Sequence, residues 1–166
     1  MSIIDNDETT RDVHKSLFSH RCSRHARHRA TWHVTDCADT FNAPIVTTWR
    51  AKGIIPASDP YLMGVAGRFG TSIADDVVRG ADVLHVGSSL SENTTDGWTL
   101  ISDSTRLIQI NIGSRQIGRT QGVTLPIVGD AFLTLELIAH HTPVDPAKRS
   151  PNSLALKRKH HATERP

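Results

Sequence analysis

The sequence has few of the residues that mark extracellular, membrane-bound or nucleic-acid-binding proteins. Cys22 and Cys37 are the only cysteines among 166 residues, which is too few for a disulfide framework and fits a reducing compartment. The formal net charge of +2 gives no general reason to expect a nucleic acid or a membrane as partner. The start of the chain has no apolar signal-peptide core, and no run is long enough to span a bilayer. We therefore expect a cytoplasmic protein that binds neither membrane nor nucleic acid.

Hydrophobic residues are also scarce, at 37%, and the shortage is confined to the two ends. The segment from His14 to His33 mixes histidine with lysine and arginine, and it shows no apolar periodicity. The last residues are again basic and rich in proline. We therefore predict three parts, which are a disordered or aberrant basic segment (1–35), one domain (36–141) and a disordered basic tail (142–166).

Strand and helix patterns alternate in the middle part. Runs rich in Ile, Val and Leu predict strands over residues 43–48, 82–87, 106–112 and 125–128. One helix is predicted to end at Asn42, a second to begin at Thr71 or Ser72 and end at Gly80, and a third to follow Gly129-Asp130. This order implies right-handed crossovers and an α/β fold with a parallel sheet.

Ligands of such sheets bind beyond the carboxyl ends of the strands. Small and polar residues follow the predicted strands at 48–52, 67–71, 87–91 and 111–114. The start of the helix after Gly70-Thr71 offers backbone N–H groups to an anion. The sequence thus predicts a ligand site along this edge.

Five segments, in order and in spacing, resemble the central domain of thiamine-diphosphate-dependent enzymes of the acetolactate synthase and pyruvate oxidase group. They are Asn42-Ala-Pro-Ile-Val-Thr-Thr48, Lys52-Gly-Ile-Ile-Pro56, Gly67-Arg-Phe-Gly-Thr71, Ala81-Asp-Val-Leu-His-Val-Gly87 and Pro126-Ile-Val-Gly-Asp-Ala131. The resemblance covers residues 36–141. It implies a Rossmann-like parallel sheet of the kind found in DHS-like NAD/FAD-binding domains.

The resemblance also implies where the chemistry of such enzymes resides. Thiamine diphosphate and Mg²⁺ lie between two other domains, which carry the activating glutamate and the metal ligands. We therefore expect no catalytic residue and no metal ligand on this chain, no activity of the chain alone, and flanking thiamine-diphosphate-binding domains or subunits as partners. In some members the central domain binds FAD, and in others it binds a nucleotide effector or nothing, so the resemblance allows FAD as a cofactor here.

The positions that contact FAD in the family carry over onto four loops of this sequence and onto one acid. They are Thr48, Trp49 and Arg50; Gly67, Gly70 and Thr71; Gly87, Ser88 and Ser89; Asn111; and Asp130. Two departures weaken the match. Asn111 and Gly113 stand where the family has Asp-x-Asp, whose first acid would hold a ribose, and Arg68-Phe69 replaces the usual aromatic residue or histidine of the glycine loop.

The front of the chain departs further from the family. An apolar strand that is central in the family's sheet corresponds here to the histidine and arginine run, which is too polar for a buried parallel strand. We therefore expect the sheet to be incomplete at its N-terminal strand. A reading frame shifted or fused upstream of Asp36 would explain the change, and the nucleotide sequence tests this hypothesis.

Several functions remain open at this stage. The first is a structural fragment with weak nucleotide or FAD binding, and the alternative is a split subunit that completes a thiamine-diphosphate- and Mg²⁺-dependent carboligase or decarboxylase with partner chains. A free nucleotide-binding module, related in fold to NAD-dependent deacylases, is a third. The set Cys22-x-x-His25 and His33-x-x-x-Cys37 resembles a zinc-ligand set, but its spacing is short and an unstructured basic arm is favoured.

Overall fold

The computed structural model describes residues 14–19 and 24–142, and it describes side chains from His33 onwards. Within these ranges the chain forms one six-stranded parallel sheet with three α-helices. The strands are β1 (His14–Ser19), β2 (Ile45–Thr47), β3 (Leu62–Val65), β4 (Ala81–Val86), β5 (Leu107–Asn111) and β6 (Leu125–Val128). The helices are α1 (Arg24–Phe41), α2 (Ser72–Arg79) and α3 (Ala131–His141).

The strand order is β3-β2-β1-β4-β5-β6. The first three strands run outwards from the centre in one direction, and the last three run outwards in the other. The order therefore reverses between β1 and β4, which is the Rossmann arrangement with its ligand crevice at the reversal. The predicted fold class, an α/β Rossmann-like parallel sheet, is confirmed.

The prediction that the sheet lacks its N-terminal strand is wrong. His14–Ser19 lies in the centre of the sheet and pairs with β4 along its whole length, from His14 opposite Ala81 to Ser19 opposite Val86. On its other side, Leu17 pairs with Ile45 of β2. The prediction was wrong because it relied on the polarity of the side chains. A parallel ladder is made by backbone groups, and the strand does include the apolar residues Leu17 and Phe18.

The domain boundary predicted at residue 36 stays a prediction, and residue 36 lies within α1. Within the segment 1–35, residues 14–19 form β1 and residues 24–35 belong to α1, while 1–13 and 20–23 lie outside the described residues. The predicted tail 142–166 also lies outside them, except for Thr142.

Two buried clusters lie on opposite faces of the sheet. On one face Ala74, Val77 and Val78 of α2 pack with strand residues and with Leu90 and Leu100 of the long loop after β4. On the other face α1 and α3 pack together, with Cys37 and Leu135 fully or almost fully buried. α1 ends at Phe41, and Asn42 directly after it has a positive φ of 49°. Among the described residues no helix has the length and hydropathy needed to cross a bilayer.

Candidate functional site

The predicted site residues follow the carboxyl ends of strands. Because all the strands are parallel, these ends lie along one side of the sheet, which we call its carboxyl edge. Gly87, Ser88 and Ser89 follow β4 and lie at the point where the strand order reverses. Asn111 ends β5 and Asp130 follows β6, while Thr48 begins the loop after β2. With neighbouring strands about 4.8 Å apart, β2 and β6 are separated by about 19 Å along this edge. The edge is thus long enough for an extended ligand, and only its middle lies at the crevice.

The loop Gly67–Thr71 uses its glycines to fit against the protein itself. A Cβ atom at Gly67 would lie 2.1 Å from the backbone oxygen of Asn93, and φ at Gly67 is +90°. A Cβ atom at Gly70 would lie 2.2 Å from the backbone oxygen of Val65. Both positions therefore require glycine for internal packing, whether or not a ligand approaches.

The backbone N–H groups of the same loop are also used internally. Gly67 donates to Oδ1 of Asp75 at 2.8 Å, and Arg68 donates to the carbonyl oxygen of Asn93 at 2.9 Å. Gly70 and Thr71 donate to the carbonyl oxygens of Gly67 and Val65, at 2.7 and 2.9 Å. These four amides therefore cannot hold a phosphate in this conformation.

Asp75 fastens this loop to α2. As an acid in the first turn of α2, Asp75 interacts favourably with the helix dipole. In the structure its carboxylate also accepts the bond from Gly67, and burial, as the largest cause, raises the pKa of Asp75 above its ordinary value. The contact crosses eight residues, so a local pattern in the sequence could not identify it.

An exposed aromatic pair stands at the carboxyl ends of β2 and β3. The rings of Trp49 and Phe69 meet edge to face with their centroids 6.2 Å apart, and they are 43% and 64% exposed. The guanidinium carbon of Arg50 lies 5.0 Å from the centroid of the Trp49 ring. We call Trp49, Arg50 and Phe69 the aromatic platform. It offers flat apolar surface and one positive charge, which suits a planar ring attached to an anionic group.

The neighbouring residues of the crevice are buried and already paired. Asn111 is 8% exposed, its Nδ2 donates to the carbonyl oxygen of Ser88 at 3.1 Å, and its Oδ1 accepts from the N–H of Gly113 at 2.9 Å. The carboxamide thus joins the ends of β4 and β5. Thr48 and Ser88 are 1% and 3% exposed. Of the three site residues predicted after β2, Trp49 and Arg50 therefore reach solvent.

Asp130 has a structural task at the start of α3. Its Oδ1 accepts hydrogen bonds from the N–H groups of Phe132 and Leu133, at 2.9 and 3.1 Å, which makes it the N-cap of the helix. It lies two strands away from β4 and therefore far from the crevice. The structure thus brings Trp49, Arg50 and the glycine loop together, and it leaves Asp130 at the far end of the edge.

The zinc-ligand set does not assemble in its described half. Cys37 is buried, its Sγ lies 3.4 Å from the carbonyl oxygen of Leu135, and burial raises the pKa of its thiol to about 12. His33 packs its ring edge to face against Phe132, with centroids 4.1 Å apart. The side chains of Cys22 and His25 lie outside the described part of the chain. Among the side chains that are described, no group of three or more His, Cys, Asp or Glu residues is arranged to hold a metal ion.

The chain matches one known family and several curated proteins. The family described as "Thiamine pyrophosphate enzyme, central domain" matches residues 23–138. A probable acetolactate synthase large subunit of Methanococcus aeolicus is 33% identical over 99 residues, which are 59% of this chain and 16% of that protein. Acetolactate synthase of Mycobacterium bovis is 30% identical over 123 residues, which are 70% of this chain and 20% of that protein.

A third relative is named only for its cofactor. The putative thiamine pyrophosphate-containing protein YdaP of Bacillus subtilis is 30% identical over 114 residues, which are 68% of this chain and 19% of that protein. This chain spans about a fifth or less of the length of these relatives. The family match begins at residue 23, after β1, so it does not include the central strand.

Proposed function

The chain belongs to the thiamine pyrophosphate enzyme central-domain family, and from this premise we propose that it is a structural module which binds a nucleotide weakly. The ligand class is a nucleotide with a planar ring system, FAD being the representative. The observation that supports the proposal is the aromatic platform, which stands exposed at the carboxyl edge of a Rossmann-ordered sheet.

The binding is proposed to be weak because the usual polar contacts are not available. The amides of the glycine loop are bonded inside the protein, and Asn111 is bonded to Ser88 and Gly113. A phosphate or a ribose would have to break these bonds, which costs most of what the new ones would contribute. Ring stacking on Trp49 and a charge contact with Arg50 then supply most of the affinity.

Thiamine diphosphate and Mg²⁺ are not assigned to this chain in the proposal. Among the described side chains no group of three or more His, Cys, Asp or Glu residues is arranged to hold a metal ion. We propose that these cofactors, together with any carboligation or decarboxylation, belong to flanking thiamine-diphosphate-binding domains or subunits. The chain alone is then inactive, and its place in a cytoplasmic enzyme is architectural.

Thermal unfolding followed by circular dichroism, with and without excess FAD, tests nucleotide binding. At a ligand concentration of ten times Kd the expected stabilisation is about 1.4 kcal/mol, which is visible as a rise of several degrees in Tm. Trp49→Ala should abolish the rise, while Trp98→Ala, a matched change at another exposed tryptophan, should keep it. A cooperative transition that FAD leaves unmoved would contradict the nucleotide site and leave the structural role. The lack of any transition would contradict both.

The second candidate is a split subunit that completes a thiamine-diphosphate- and Mg²⁺-dependent enzyme with partner chains. The supporting observation is that this chain spans about a fifth or less of relatives named acetolactate synthase. Neighbouring reading frames that encode two thiamine-diphosphate-binding domains would support it. Purifying such chains with this one, and assaying acetolactate formation with both cofactors, tests it directly. Unchanged activity when this chain is omitted would exclude the candidate.

A further inference from the structure

The loop after β2 carries positive charge at a place where Rossmann sheets that bind NAD carry an acid. In those sheets an Asp or Glu at the carboxyl end of the second strand hydrogen-bonds to a ribose hydroxyl of the dinucleotide, whereas an Arg nearby accommodates the ribose phosphate of NADP. The strand order of this chain is the same, so β2 is the corresponding strand. The residues that follow it are Thr48-Trp-Arg-Ala-Lys52, which include two positive side chains and no acid.

The first acid after β2 lies at the other end of the strands. It is Asp59, whose Oδ1 accepts a hydrogen bond from the N–H of Tyr61 at 2.8 Å. The carbonyl oxygen of Tyr61 in turn accepts from the N–H of Ile45, the first residue of β2, at 2.7 Å. Asp59 is therefore close to the start of β2 and away from its carboxyl end. A ribose bound at the carboxyl end of β2 meets no carboxylate from this loop.

The guanidinium group of Arg50 is available to an anion. Arg50 is exposed, and no ion pair among the described residues includes it, whereas Arg68 on the neighbouring loop pairs with Glu92 at 3.3 Å. The guanidinium carbon of Arg50 lies 5.0 Å from the centroid of the Trp49 ring. Stacking on a ring uses the flat face of a guanidinium group, so the N–H groups at its rim can still donate hydrogen bonds.

We propose that the aromatic platform prefers an adenine nucleotide whose ribose carries a second phosphate, on its 2′ or 3′ oxygen, with NADP⁺ as the representative. The inference rests on the nucleotide binding proposed above and names the ligand within that class. The adenine ring stacks on the platform, and the rim of the Arg50 guanidinium group donates two hydrogen bonds to the ribose phosphate. Lys52, which is also exposed, adds positive potential beside it.

The missing acid contributes to this preference together with Arg50. A carboxylate at the end of β2 would repel a ribose phosphate and would bind the free hydroxyl groups of NAD⁺. The neutral Thr48 stands there instead, so NAD⁺ loses a contact at the place where NADP⁺ gains one.

The connection between β1 and α1 increases the weight of the ribose phosphate. In Rossmann sites the glycines of this connection let the diphosphate approach the backbone. Here its sequence is His20-Arg-Cys-Ser23, without a glycine. The diphosphate, which NAD⁺ and NADP⁺ share, therefore contributes less than usual, and the ribose phosphate decides the affinity.

Isothermal titration calorimetry of the full chain with NADP⁺ and with NAD⁺, which differ by one phosphate, tests the proposal. At low salt we expect a Kd for NADP⁺ about tenfold below that for NAD⁺. Added salt should reduce the difference, because the contact is exposed to solvent. Titrations with 2′,5′-ADP and 3′,5′-ADP then show which ribose oxygen carries the phosphate that is recognised.

Substitutions of Arg50 test its role. Arg50→Gln should remove the difference between the two nucleotides, and Arg50→Glu should reverse it, because the new carboxylate repels the phosphate and can bind a ribose hydroxyl. Arg79→Gln is the control, since it removes a guanidinium group that is also exposed but lies at the far end of α2. It should leave the preference for NADP⁺ intact. Circular dichroism checks the fold of each variant.

The outcomes separate this inference from the proposed function on which it rests. Equal Kd values for NADP⁺ and NAD⁺, in a chain that still binds NAD⁺ or FAD, would overturn the inference and leave the nucleotide site. A chain that unfolds cooperatively and binds none of the three would overturn both. A preference for NADP⁺ that persists in Arg50→Glu would overturn the role of Arg50. The comparison in the unaltered chain decides the preference even if a variant fails to fold.

Discussion

At the scale of single residues, Gly67 is the position whose identity the structure constrains most clearly. Ala at this position would need a positive φ and would place its Cβ atom 2.1 Å from the Asn93 oxygen. We expect Gly67→Ala to lower the free energy of unfolding by about 3 kcal/mol, from overpacking and backbone strain together. Urea unfolding followed by circular dichroism measures the loss.

Gly53 is a matched control for this prediction. Its φ of +84° is similar, but no atom lies within 4 Å of the position that a Cβ atom would take. Gly53→Ala should therefore cost only the backbone strain, about 1 kcal/mol. Equal losses in the two variants would show that the glycine loop does not pack against Asn93.

The internal hydrogen bonds of the site residues are what the sequence did not indicate. Asn111 stands where the family has an acid that would hold a ribose, and an Asn can replace that acid only partly. Its actual partner in β4's loop, the carbonyl oxygen of Ser88, is 23 residues away in the sequence. Asp75 and Gly67 are likewise joined across a turn between two elements. Such bonds depend on how elements are placed in space, so residue type and local spacing could not indicate them.

At the scale of elements, Asp130 has a structural role at the start of α3. Asp130 was expected to contact a cofactor, and in the structure it caps the helix. Asp130→Ala should lower the free energy of unfolding by about 1 kcal/mol, because two backbone N–H groups lose their acceptor. Asp130→Asn should lose less, since an amide oxygen also caps. Urea unfolding in the absence of ligand is the measurement, and an unchanged midpoint for Asp130→Ala would refute the capping role.

Elements with a clear pattern were predicted well, and those without one were missed. β6 was predicted at its observed limits, and α2 begins at Ser72 and ends before Gly80 as expected. β3 was missed, because it is four residues long, follows Pro60 and contains Gly64, whose φ is +125°. Pro and Gly normally interrupt a strand. β3 is an edge strand, and its hydrogen bonds to β2 hold it extended. This is a tertiary effect that the local sequence does not show.

At the scale of the whole molecule, the fold depends on a strand that lies outside the residues matched by the family. The family matches residues 23–138, yet β1 lies between β2 and β4 and joins the two halves of the sheet. Alternating patterns in the middle of the chain were sufficient to predict the fold class. They were not sufficient for β1, because its composition is polar and the prediction relied on apolar content. A shifted reading frame upstream of Asp36 remains a hypothesis for the nucleotide sequence to test.

The central position of β1 leads to the prediction with the largest effect. A proline at position 17 would remove a backbone donor inside a ladder that is paired on both sides, opposite Ile45 and Leu84. We expect Leu17→Pro to cost more than about 3 kcal/mol and, in a domain of ordinary marginal stability, to abolish the cooperative thermal transition. Leu17→Ala is the control that keeps the donor, and it should leave a cooperative transition. A proline is tolerated where a strand is paired on one side only, and Pro126 lies in β6, which is an edge strand. If Leu17→Pro and Leu17→Ala unfolded at the same temperature, β1 would not be the strand that joins the two halves, and the sheet would have to be held together without it.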